Sequence, residues 1–118
     1  MLEVTPTGDG GAFVWSTLTK HGGDSRNSSS VTPSTSTWYH TAVVRTSGTI
    51  KVFVDGTQVV SDFTDTTDFT DRDSLVIGGF FSTDYLLDGY IDEFRISHVA
   101  RYTSNFTPTT EVFPDKGQ

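Results

Sequence analysis

The chain has no cysteine. That excludes disulfides, thiolate metal sites and cysteine nucleophiles. It also argues against a small animal extracellular domain, since such domains often rely on disulfides to support a thin core. Basic residues are scarce: eight Lys and Arg stand against fifteen Asp and Glu, for a net charge of −7. The eight are scattered, whereas a phosphate-binding surface needs them clustered, so nucleic acid is not an expected partner. The same shortage argues against anionic membranes. Long hydrophobic runs are missing too. The longest mainly apolar stretch, residues 75–81, is far short of a bilayer span, so no membrane insertion is expected. The opening Met1-Leu2-Glu3-Val4-Thr5-Pro6 lacks the basic and apolar regions of a signal peptide. Hydrophobic residues reach only 34% and charged residues 19%, both low for a globular chain.

Small polar residues fill the gap: 20 Thr and 13 Ser among 118 residues. Thr suits strands because its β-branch packs on a pleated surface. Ser and Gly suit the turns between them. Aromatics at 13% argue against disorder, which is poor in such residues. The composition therefore predicts an all-β domain of many short strands. The length suits one domain over residues 1–118, with residues 1–11 and 113–118 expected as irregular tails.

Residues 12–19 read as a strand. Residues 20–37 read as a long loop with a short edge strand near Val31. The clearest segment, Trp38-Tyr39-His40-Thr41-Ala42-Val43-Val44-Arg45, is dense in aromatic and β-branched residues. As one strand it puts Trp38, His40, Ala42 and Val44 on one face. Ser47-Gly48 then makes a tight turn into Ile50, Lys51, Val52, Phe53 and Val54, which alternate cleanly. Asp55-Gly56 is a strong hairpin signal, because a type I′ turn needs positive φ at its centre. Residues 57–61 return, giving an antiparallel meander. Residues 62–73 read as a loop with at most a short strand. Residues 74–78 read as a buried strand and residues 89–97 as the last strand. No helix is expected beyond a turn around residues 97–102.

Four linked motifs carry a family likeness: residues 38–45, Val52-Phe53-Val54-Asp55-Gly56, Ile77-Gly78-Gly79, and Asp88-Gly89-Tyr90-Ile91-Asp92-Glu93-Phe94-Arg95-Ile96. In this order and spacing they resemble laminin G-like domains of the concanavalin A-like lectin/glucanase superfamily. The ending Ala100-Arg101-Tyr102-Thr103-Ser104-Asn105-Phe106-Thr107-Pro108 is similar to the close of such domains in phage tail, fibre and other virion proteins. The likeness covers about residues 36–112. It implies an antiparallel jelly-roll β-sandwich. Family members usually carry more strands before the Trp-Tyr-His motif than the 37 residues found here. That leaves three readings: a trimmed sandwich, a fragment of a longer domain, or strands supplied by a partner chain. Exposed edge strands would favour a homo-oligomer or docking to other virion proteins.

Candidate chemistry is sparse. The three histidines, His21, His40 and His98, belong to no catalytic motif, and a core His40 bonded to a loop is the plainer reading. Asp92 and Glu93 are adjacent, so on a strand they face opposite ways and cannot act as a carboxylate pair. Glycosidases of the superfamily pair acids on one strand in Glu-x-Asp-x-x-Glu fashion, and nothing here matches, so no enzyme is expected. The acidic run over residues 62–73 is the best metal candidate. Asp65, Asp68, Asp71 and Asp73 could offer oxygens to calcium, although a solvated acidic loop is the plainer reading. Trp15, Tyr39 and Tyr85 are candidates for stacking on sugar rings, weighed against simple packing. Asn27-Ser28-Ser29 and Asn105-Phe106-Thr107 fit the N-glycosylation pattern, which arises easily by chance in a Ser/Thr-rich chain. The functional expectation is a virion decoration, fibre or spike module that also holds surface glycans, located on a virion or extracellularly. The competing expectation is a carbohydrate-binding or adhesion module of a larger extracellular protein.

Overall fold

A computed structural model of the chain describes residues 2–4, 16–19, 25–28, 31, 33–64, 66, 77–78 and 87–113. Nine strands and no helix occur among the described residues. They are β1 (Leu2–Val4), β2 (Ser16–Thr19), β3 (Ser25–Ser28), β4 (Trp38–Tyr39), β5 (Thr41–Thr46), β6 (Thr49–Val54), β7 (Thr57–Gln58), β8 (Phe63–Thr64) and β9 (Gly89–Ile91). All pairings are antiparallel. One sheet runs β4-β1-β9, a two-stranded sheet joins β2 and β3, and a third runs β5-β6-β7 with β8 also on β6.

The best-formed part follows from two local turns. Ser47 and Gly48 have φ of 48° and 76°, and Asp55 and Gly56 have φ of 48° and 78°. Positive φ at both central positions is the type I′ arrangement, whose twist matches that of paired strands. The first turn sets the β5–β6 register from Thr46 opposite Thr49 to Thr41 opposite Val54. The second sends β7 back along β6, and Val59 N–H donates to the Val52 carbonyl at 2.9 Å as the return continues. β6 is therefore paired on both edges. It is also buried on both faces: Ile50, Val52 and Val54 on one, fully enclosed Phe53 on the other. Lys51 stays at the rim, where its ammonium donates to the Asp62 carboxylate at 2.7 Å.

Several expectations change. Leu2–Val4, expected inside an irregular tail, form the central strand of the β4-β1-β9 sheet. The edge strand expected near Val31 lies instead at Ser25–Ser28, where it pairs with β2. The single strand expected over residues 38–45 divides at His40, because Trp38 and Tyr39 pair with β1 while Thr41 onward pairs with β6. The strand expected over residues 89–97 stops at Ile91, and Glu93 at φ 52° cannot continue an extended run. The strand expected over residues 74–78 lies mostly outside the described residues.

From Asp92 to Phe113 the chain is irregular and folds back as a strap. Phe106 N–H donates to the Gly56 carbonyl at 2.9 Å, and the Asn105 side-chain oxygen accepts from Gln58 N–H at 2.9 Å. Phe106 stacks on Tyr102 with ring centres 3.6 Å apart and meets Phe53 edge-on at 5.5 Å. Further along, Phe113 N–H donates to the Glu93 carboxylate at 2.6 Å while Arg95 lies over the Phe113 ring at 3.8 Å. A β-carbon on Gly56 would stand 1.8 Å from the Phe106 carbonyl oxygen, so glycine is required there for contact as well as for φ.

Candidate functional site

His40 marks the point where the chain passes from one sheet to another. Its N–H donates to the Asp55 carboxylate and its carbonyl accepts from Asp55 N–H, both at 2.8 Å. These two bonds fix the crossing against the β6–β7 turn. The imidazole is buried at 7% exposure and meets Tyr102 and Phe106 edge-on at 5.9 and 5.4 Å. Its Nδ1 has no hydrogen-bond partner. Burial lowers its pKa below the ordinary 6.5; the positive amino terminus and Arg95 push the same way, and Asp55 opposes them. His40 is thus a core residue, as expected, but the loop bond belongs to its backbone rather than its ring. No nucleophile or acid pair is set against it among its described contacts.

The sugar-stacking candidates separate. Tyr39 is half-buried, and its hydroxyl accepts from Ser34 N–H at 2.8 Å, which ties the 33–37 turn to β4. Trp15 and Tyr85 lie outside the described residues, as do the calcium candidates Asp65, Asp68, Asp71 and Asp73. Among the described residues, no group of three or more acidic or histidine side chains is arranged to hold a metal ion.

Two further aromatics, not chosen from the sequence, stand on the same sheet as Tyr39. Trp38 on β4 and Tyr90 on β9 both stand opposite Glu3 of β1. Directly opposed residues of antiparallel strands project from the same face. Trp38 and Tyr90 are 42% and 68% exposed, so both rings lie open to solvent on one face of the β4-β1-β9 sheet. Two strand spacings of about 4.8 Å put their backbones roughly 10 Å apart. Alternation alone assigned Trp38 to the core beside His40. The change of sheet at His40 reverses that, and no local signal announces it.

On another side, β5 and residues 91–102 enclose an open groove of about 560 Å³. Val43, Ile77, Phe94, Ile96 and Val99 line it and are each about half exposed or more. Phe94 and Ile96 follow the break at Glu93, in the irregular segment after β9.

The antiparallel strands are consistent with a β-sandwich, and one of its sheets carries two exposed aromatics, Trp38 and Tyr90. The sequence profile of the laminin G-type family in the concanavalin A-like lectin/glucanases superfamily matches residues 1–105, and the chain belongs to that family. The match takes in the N-terminal residues that the four motifs leave out. No curated protein and no solved structure matches the chain.

Proposed function

We propose that the chain is a non-enzymatic recognition module, displayed on a virion or another extracellular particle, that holds a surface glycan. Laminin G-like domains are generally non-catalytic binding modules, and the family is compatible with carbohydrate binding or adhesion. The observation that carries the glycan reading is the exposed Trp38–Tyr90 row. Large aromatic rings left open on a sheet face, in a chain with few hydrophobic residues to spare, fit a stacking surface better than a packing one. The virion setting is supported by the similarity of residues 100–108 to the close of virion domains. The apolar groove supports assembly with a second copy or another particle protein, since exposed patches of this kind mark contact surfaces.

A second reading, a glycan-binding or adhesion module inside a larger extracellular protein, shares the row but not the assembly. Light scattering of the purified chain, paired with a broad glycan array, separates them. A stable oligomer that retains glycans supports the particle module. A monomer that retains glycans supports the second reading, and a chain that retains none contradicts both.

A further inference from the structure

We infer that the Trp38–Tyr90 row takes a neutral, extended glycan chain lying across the strands, with one ring on each aromatic. The inference rests on the glycan reading above and specifies its ligand. Three observations carry it. First, register fixes both residues opposite Glu3, so the line from Trp38 to Tyr90 crosses the sheet at right angles to the strands. Second, the span of roughly 10 Å, two strand spacings, is close to one disaccharide unit of a ribbon-like chain. Equatorially linked pyranoses form such ribbons. They turn flat faces of C–H groups outward, and those faces stack on aromatic rings. A single sugar cannot reach both positions.

Third, the strands that carry the row hold one acidic residue and no basic one. Glu3 holds the central position, Asp88 stands exposed two residues before Tyr90, and β1, β4 and β9 contain no Lys or Arg. The whole chain carries −7. The exposed Asp88 carboxylate suits hydroxyl groups, from which it can accept hydrogen bonds. The net negative charge of the chain disfavours sulfated or sialylated chains. The row therefore selects neutral chains on charge and extended chains on spacing.

Calorimetry on the full chain tests this with cellohexaose and chitohexaose as probes, and with glucose and a heparin hexasaccharide as controls. Both neutral hexasaccharides, or one of them, should bind more tightly than glucose by about tenfold or more. Heparin should not bind at low salt. Trp38→Ala and Tyr90→Ala should each weaken binding by about tenfold, while Tyr90→Phe keeps it, because the ring and not the hydroxyl is used. Tyr90→Ala, at a 68% exposed position, should melt like the parent, and Trp38→Ala, at 42%, should lose some stability but stay folded, which the same samples check. Hexasaccharide binding that neither alanine variant alters, or a preference for heparin, overturns the row and leaves the glycan reading standing. Silence toward these probes and across a broad glycan array overturns both.

Discussion

The clasped half of the molecule and the open half use aromatic residues in opposite ways. Around β6, Phe53, Phe106, Tyr102 and His40 meet one another within 6 Å, and the strap is bonded to the turn at Gly56 and Gln58. On the β4-β1-β9 sheet, Trp38 and Tyr90 meet the solvent. Among the described residues, the buried hydrophobic side chains gather around the β5–β6 hairpin and its return. Stability should therefore sit in the clasp and recognition in the row, and substitutions in the two regions should have separable effects.

The largest effect should come from Gly56→Ala. The new methyl overlaps the Phe106 carbonyl and also demands positive φ from alanine. Urea unfolding should show a loss of about 3 kcal/mol or more. Gly78→Ala makes the contrast. Its φ is 73°, but among the described residues the nearest atom, Ile91 Cδ1, is 3.4 Å away, an ordinary contact. A loss of about 1 kcal/mol from backbone strain alone is expected there. Equal losses at the two glycines would remove the distinction between clasp and surface.

Next comes Phe106→Ala, which takes away partners of Tyr102, His40 and Phe53 together. It should cost about 2–4 kcal/mol, toward the range for buried aromatics. Tyr90→Ala, at an exposed position, should stay within about 0.5 kcal/mol of the parent.

His40 sharpens the comparison through pH. Its folded-state pKa lies below the ordinary 6.5, chiefly because burial disfavours the charged ring. The unfolded chain therefore takes up a proton at this residue before the folded chain does. Between 6.5 and the lower folded value the unfolded state binds more protons, so stability is full above 6.5 and falls as pH drops through that window. Melting temperature against pH should show that fall, and His40→Phe should flatten it. An unchanged slope in the variant would mean that other groups govern the acid limb.

The smallest effect belongs to the rim. Asp62 is held below the usual carboxylate range by hydrogen bonds from Lys51 and Gln58, yet it stands in solvent. Asp62→Asn should leave the melting curve where it was, since exposed ion pairs contribute little and are screened by salt.

How much of this could be read from the residues depends on distance along the chain. The β5–β6–β7 meander was legible because its turns are local: Ser47-Gly48 and Asp55-Gly56 announce themselves in two residues each, and the alternation between them sets the faces. The burial of His40 was legible for the same reason. β1 was not, because Leu2–Val4 form a strand only through partners at residues 38–39 and 89–91. Without β1, nothing shows that Trp38 is exposed or that Tyr90 stands across the same sheet from it. The end of β9 was also hidden, since Glu93 is not a residue type that announces positive φ.

The most direct test of this division is a nuclear magnetic resonance titration of the isotopically labelled full chain with a neutral β-linked hexasaccharide. The account predicts shifts confined to Trp38, Tyr90 and the β1 residues between them, with Gly56, Gln58 and Phe106 unmoved. Shifts centred on the clasp, or on the groove between β5 and residues 91–102, would contradict it.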